Sequence, residues 1–179
     1  MKHILSCAAL MLAAACSKSE DQAAANKAGN GAPPGAALKK GDGTDIGMVT
    51  LSEDGNGVTI KVEATGLEPG VHGLHLHTVG RCDGPKFESA GPHWNPTGKQ
   101  HGRDNPQGAH LGDLANLDVG EDGRGTSTFL VSGATLGGAQ NSLLDLDGAA
   151  LVIHAKADDY MTDPSGASGD RIGCAILQG

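Results

Sequence analysis

Ile46-Gly47-Met48-Val49-Thr50-Leu51-Ser52-Glu53-Asp54-Gly55-Asn56-Gly57-Val58-Thr59-Ile60-Lys61-Val62-Glu63-Ala64 decides the fold. Two runs, Ile46 to Leu51 and Val58 to Ala64, alternate apolar and polar residues at period two, the mark of a half-buried strand. Between them Asp54-Gly55 and Asn56-Gly57 accept the positive φ that a tight hairpin turn requires. Working outward, the same alternation recurs at Val71 to Val79, Leu114 to Val119, Thr126 to Val131, Ala150 to Ala155 and Ile172 to Leu177, each bounded by Gly or Asp. No stretch between Ala36 and Gly179 carries helical periodicity, so the reading is an antiparallel all-β domain.

Leu, Ile, Val and Phe total 34 of 179 residues, against 29 Gly, so the hydrophobic core is thin. A chain so poor in apolar surface offsets its conformational entropy with disulfides or metal ions, or does not fold. Eight His and four Cys supply the candidates. A formal charge of −8 argues against nucleic acid or an anionic lipid surface as partner.

The amino terminus reads as an address. Lys2 and His3 precede an apolar stretch from Ile4 to Ala15, too short to span a bilayer and suited to a signal-peptide core. Leu12-Ala13-Ala14-Ala15-Cys16 resembles a bacterial lipoprotein cleavage site with Cys16 as the acylated residue; the alternative is an ordinary signal peptide cut near Ala15. Cys7 is lost either way. Residues 1–15 are therefore expected to be a signal peptide and 16–35, rich in Gly, Pro and Ala, a lipidated Cys with a flexible tether. The folded domain is expected over 36–179. That address implies a periplasmic, membrane-anchored protein.

Two long segments, Gly80 to Leu111 and Lys156 to Arg171, lack strand character, and connections of that length are uncommon unless functional or disordered. His75 and His77, two apart on a strand, share a face about 6.6 Å apart and can hold one ion together. His93, His101, His110 and Asp113 follow in the long segment and its exit, and His154 ends a later strand. Six imidazoles and one carboxylate exceed one tetrahedral zinc site, but two adjacent sites sharing a ligand use all seven. His72, three residues from His75, falls on the opposite face and reads as structural.

Six motifs, Gly73-Leu74-His75-Leu76-His77, Gly91-Pro92-His93-Trp94-Asn95-Pro96, His101-Gly102, His110-Leu111-Gly112-Asp113-Leu114, Val152-Ile153-His154-Ala155-Lys156-Ala157-Asp158-Asp159 and Gly169-Asp170-Arg171-Ile172-Gly173-Cys174, stand in order across 36–179. Together they resemble the copper/zinc superoxide dismutases. The resemblance implies a Greek-key antiparallel β-barrel or sandwich of about eight strands with two long functional loops. It implies copper on His75, His77, His93 and His154, and zinc on His93, His101, His110 and Asp113, with His93 bridging. Imidazole suits both metals, and one hard carboxylate among three imidazoles suits zinc. Asp158 resembles the carboxylate that links a copper ligand to a zinc ligand, here His75 and His101. The resemblance also pairs Cys82 with Cys174, a bridge that an exported location permits.

The implied reaction converts superoxide to oxygen and hydrogen peroxide, with Arg171 beside copper attracting the anion and His93 taking up and returning a proton. Tyr160 to Gly169 matches the family's electrostatic loop but carries Asp163 and no Lys; Lys156 is the nearest other cation. Trp94 stands where many relatives carry Phe, which implies a packing change. A second copy of the chain is a candidate partner, though the pattern does not specify a subunit interface. Two other readings compete: a non-catalytic periplasmic domain that binds copper and zinc, and a β-domain holding zinc alone. Loss of a copper ligand or of Arg171 would favour the first of these, and neither is lost.

Overall fold

The computed structural model describes residues 35–138 and 140–178. The amino-terminal address and Cys16 lie outside them. Nine strands follow in chain order: β1 Gly35–Lys39, β2 Asp45–Asp54, β3 Gly57–Ala64, β4 Gly70–His72, β5 Leu74–His77, β6 Leu117–Val119, β7 Gly125–Ser132, β8 Ala149–His154 and β9 Arg171–Leu177. Seven form one antiparallel sheet in the order β5-β8-β9-β1-β2-β3-β7, and β4 pairs with β6. The neighbours β5–β8, β9–β1 and β3–β7, far apart in sequence, are Greek-key crossings.

The hairpin forms where the sequence places it. β2 and β3 pair from Gly47↔Ala64 to Asp54↔Gly57. The turn shrinks to Gly55 and Asn56, with the Asn56 amide donating to Asp54 Oδ1 at 2.8 Å.

Besides β6, which begins at Leu117 where the alternation begins at Leu114, two features differ from the sequence reading. Val71 to Val79 is not one strand: Gly73 breaks it, so that β4 serves β6 while β5 crosses to β8. The Gly73 amide donates to Lys156 O at 2.8 Å, and Gly73 O accepts from His154 N at 2.8 Å. A Cβ at Gly73 would lie 2.8 Å from the Ser168 side chain, so the corner demands glycine. β1 shows no legible alternation and buries only Leu38 fully. It is a strand because β2 and β9 take its backbone from both sides.

The core gathers Leu38, Ile60, Leu74, Leu76, Leu117 and Leu151, all fully buried. Each such aliphatic contributes about 1.5–3 kcal/mol relative to exposure. β8 is buried on both faces: Leu151 and Ile153 point into the core, while Ala150 and Val152 lie with Phe87, Ala90 and Cys174 in a second cluster. The long segment after β5 is thus packed onto the sheet's outside. The Cys82–Cys174 disulfide, with Cα atoms 5.8 Å apart, fastens it there. With Leu74 and Leu76 in the core, alternation sends His75 and His77 outward, beneath that segment.

Candidate metal centre

His75, His77, His93 and His154 are all buried, and one ring nitrogen from each lies within 4.8 Å of the others. Three strands or loops bring them together: β5 supplies the first two, the end of β8 supplies His154, and a lone bridge His77↔His93 ties the long loop alongside β5. Each ring has one nitrogen committed to an acceptor. His75 Nε2 donates to Asp158 Oδ2 at 2.8 Å, His77 Nδ1 to Gly91 O at 2.8 Å, and His154 Nδ1 to Gly169 O at 3.1 Å. These acceptors fix the tautomers, so each remaining nitrogen presents a lone pair. Those remaining atoms, His75 Nδ1, His77 Nε2 and His154 Nε2, are buried without a hydrogen-bond partner. Buried imidazole nitrogens left unpartnered in a group are what an imidazole-binding transition metal fits.

Burial also keeps these rings neutral. It holds His77 at about 2 and, partly offset by the Gly169 carbonyl, His154 at about 3. It lowers His75 too, against the pull of Asp158, and takes His93 to about 4 against the Asp113 hydrogen bond.

A second centre lies on the other side of His93. The Nδ1 atoms of His93, His101 and His110 all face Asp113 Oδ1, at 3.0, 3.0 and 3.1 Å. Ligands about 2.0–2.1 Å from a tetrahedral zinc stand about 3.3 Å apart, so each of these three nitrogens is near the spacing from Asp113 Oδ1 that a shared zinc would require. The other carboxylate oxygen, Oδ2, accepts from the amides of Gly102 and His110 at 2.9 and 3.0 Å, which orients it. Among the described residues, the set here whose donor atoms all lie within 4.8 Å of one another is His75 with His93, His101 and Asp113, without His110. His75 Nε2, however, is committed to Asp158, while His110 Nδ1 faces the shared oxygen, which makes His110 the candidate fourth member. Burial would raise the Asp113 carboxyl, but hydrogen bonds from His101, His110 and His93 hold it far below its ordinary value. Asp158 is held low in the same way by His101 and His75.

Asp158 joins the two centres: Oδ2 receives His75 and Oδ1 receives His101 Nε2 at 3.0 Å. Gly166, at φ +65°, packs against this link, and a Cβ there would overlap Asp158 Oδ1 and approach His101 Nε2 to 2.7 Å.

Arg171 opens β9. Its Nη1 donates to Phe87 O at 2.7 Å and its Nη2 to Gly91 O at 2.8 Å. Gly91 O is also the acceptor of His77, so one carbonyl positions both the guanidinium and the His77 ring. A cleft of about 410 Å³ reaches His93 and His154 past Arg171 and Glu88.

The family model for copper/zinc superoxide dismutase matches residues 46–177. The chain belongs to that family. A superoxide dismutase [Cu-Zn] of Caulobacter vibrioides is 40% identical over 146 residues, spanning 80% of this chain and 84% of its own length. A superoxide dismutase-like protein of Bacillus subtilis is 44% identical over 141 residues, 77% of this chain and 72% of that one. Among solved structures, a SOD-like protein from Bacillus subtilis superposes with TM-score 0.77 at 42% identity, over 80% of this chain and 97% of that one. The copper/zinc superoxide dismutase from Brucella abortus gives 0.62 at 26% identity, over 81% and 99%.

Sequence reasoning did not find several parts of the dismutase site. The carbonyls of Gly91, Gly169 and Phe87 carry no side-chain signal. Asn116 and Tyr160, which contact Asp158, sit in no recognisable spacing. His72, by contrast, stays apart from both centres: its ring nitrogens face His154 O at 2.8 Å and Glu68 O at 2.9 Å, tying the end of β8 to the turn before β4. Trp94 is buried in the main core, a packing role.

Proposed function

We propose that this dismutase holds copper on His75, His77, His93 and His154 and zinc on His93, His101, His110 and Asp113, and that Arg171 receives superoxide. The observation that carries the reading is the set of three buried, unpartnered ring nitrogens beside His93. A relative named only dismutase-like makes the ligand set, more than family membership, the point to decide.

When bound, copper supplies one-electron chemistry between two oxidation states, while zinc, being d¹⁰, supplies fixed charge and geometry. The chain's own residues do the rest. His93 spans the centres: Nδ1 faces Asp113, which leaves Nε2, in a ring that lines the cleft, to take up and return a proton in each cycle. Two superoxide anions and two protons give one O₂ and one H₂O₂. Arg171, charged at every working pH, has its guanidinium held by two carbonyls and offers its other N–H donors to the anion. Asp158 keeps His75 and His101 in their ligating tautomers.

The experiment is metal analysis with anomalous diffraction on the purified domain. Copper and zinc near one each per chain, on either side of the residue-93 ring, are expected, together with dismutase activity. His93→Ala should disturb both metals. A single ion, or a copper-replete but inactive sample, overturns the reading and favours the non-catalytic metal-binding domain.

The export address, acylation of Cys16 and a periplasmic location belong to the same proposal. Their support is the signal-like sequence of residues 1–16 and a disulfide in the domain, a bond that persists in oxidising compartments. Labelling with a fatty acid that is lost in Cys16→Ser tests the anchor. A homodimer is left to sedimentation of the loaded protein.

A further inference from the structure

We propose that Tyr160 is a positioning residue that sets the Asp158 carboxylate and, through it, the grip of the chain on zinc; this rests on the assignment of Asp158 as the link between the two centres. Tyr160 meets the zinc-bearing loop at three points. Its hydroxyl accepts the Asn116 amide at 2.8 Å, its carbonyl accepts the Asp104 amide at 3.0 Å, and its ring lies under the Arg103 guanidinium, 3.7 Å from the centroid. At a fourth point its own amide donates to Asp158 Oδ1 at 2.7 Å.

Asn116 closes the circuit. Its side-chain oxygen accepts the Asp158 amide at 2.9 Å, and its Nδ2 donates to Asp158 O at 3.0 Å. The path from the Tyr160 hydroxyl through Asn116 to the Asp158 backbone, and back through the Tyr160 amide, is therefore a ring of hydrogen bonds. Asp158 Oδ1, the atom this ring holds, is the one that receives His101 Nε2. A second grip tightens the same junction: His101 N donates to Asp163 Oδ1 at 2.7 Å.

Tyr160 sits at φ +60°, a sparsely populated region for a residue with a side chain. The conformation persists because neighbours over-determine it, and those neighbours are the loop that carries the zinc ligands and the Asp158 carboxylate. Glycine would adopt this φ freely but would supply neither the hydroxyl nor the ring. The loop therefore carries a tyrosine where its backbone alone favours glycine, and the contacts that tyrosine makes all lead to Asp158 or to the zinc-bearing loop.

Tyr160→Phe keeps the ring over Arg103 and removes only the acceptor for Asn116. Outer partners of metal ligands commonly alter affinity by about 10- to 100-fold, and a loss near the lower end of that range is expected for a group one step further out. The measurement is the zinc dissociation constant of the purified protein by chelator competition, alongside the visible spectrum of cobalt(II) placed in the zinc centre and the thermal midpoint of the metal-free form. Tyr160→Phe should weaken zinc about tenfold and shift the cobalt bands, and the same change in an Asp158→Asn background should add little. An unchanged zinc constant, or an equal further loss in the Asp158→Asn background, overturns the proposal. A lowered metal-free midpoint with unchanged zinc and cobalt readings also overturns it, because the role is then merely structural. If Asp158→Asn by itself leaves zinc binding intact, the linking assignment falls.

Discussion

Zinc binding should expel about one proton from His101. In the metal-free protein both nitrogens of that ring donate, Nδ1 to Asp113 and Nε2 to Asp158, each at 3.0 Å, and two donors require the imidazolium. Burial opposes the charge, but the hydrogen bonds to Asp113 and Asp158 outweigh it and raise the group to about 9. Ligation needs the Nδ1 lone pair. At pH 7.5 about 3% of the ring is neutral, so freeing the ligand costs about 2 kcal/mol, at 1.36 kcal/mol per pH unit. Apparent zinc affinity should therefore rise about tenfold per unit between pH 7.5 and 9 and level off above that from this group. Calorimetric titration of the metal-free protein at pH 7.5 in two buffers of different ionisation enthalpy counts the protons released. About one is expected; none, or an affinity flat between pH 7.5 and 9, refutes the reasoning. Copper added afterwards should displace a further proton only from His93, because burial already keeps His75, His77 and His154 neutral.

Three further expectations come from the same geometry. Arg171→Ala should leave copper and zinc in place, slow dismutation and flatten its dependence on ionic strength; steering, for which superoxide dismutase is itself a standard example, raises on-rates by about 10- to 10³-fold. Glu88 lines the same cleft, so Glu88→Gln should speed catalysis at low salt, and unchanged stopped-flow rates in both variants would contradict the placement of the cleft. Opening the Cys82–Cys174 bridge, whose partners are 92 residues apart, should remove up to about 4.5 kcal/mol in the chain-entropy model. For a domain of this size that lowers the calorimetric midpoint of the metal-free form by as much as about 15 °C, and no change would mean the bridge constrains nothing. The metal-free fold should also weaken as pH falls from about 6.5. His75, His77, His93 and His154 have folded pKa values below the unfolded value, so the unfolded chain binds more protons there and gains on the fold until the folded values are reached. His101 has the opposite sign: its contribution is complete below about 6.5 and disappears as pH rises through about 9. Denaturant midpoints measured across pH 4–10 should peak near neutrality, and a monotonic profile would contradict these signs.

The amino-acid sequence by itself determined most of the strand pattern, the hairpin within Glu53 to Gly57, and the donor types available to the two centres. Period-two alternation and the donor preferences of imidazole and carboxylate are local properties that need no third dimension. It also indicated that one ligand is shared, because seven ligands cannot serve two four-coordinate sites unless one is counted twice; that the shared one is His93 is what the family resemblance implied. Tertiary structure decided the rest. Gly73 became a corner, and β1 a strand, because backbone partners distant in sequence claimed their amides and carbonyls. The carbonyls of Gly91 and Gly169 came to fix the tautomers of His77 and His154, and the Phe87 carbonyl to hold Arg171. Every residue has a carbonyl, so nothing in the sequence distinguishes these three; only folding selects which of them faces a ring or a guanidinium. The same holds for Asn116 and Tyr160, ordinary polar residues until two loops close on one another and leave the Asp158 carboxylate between them.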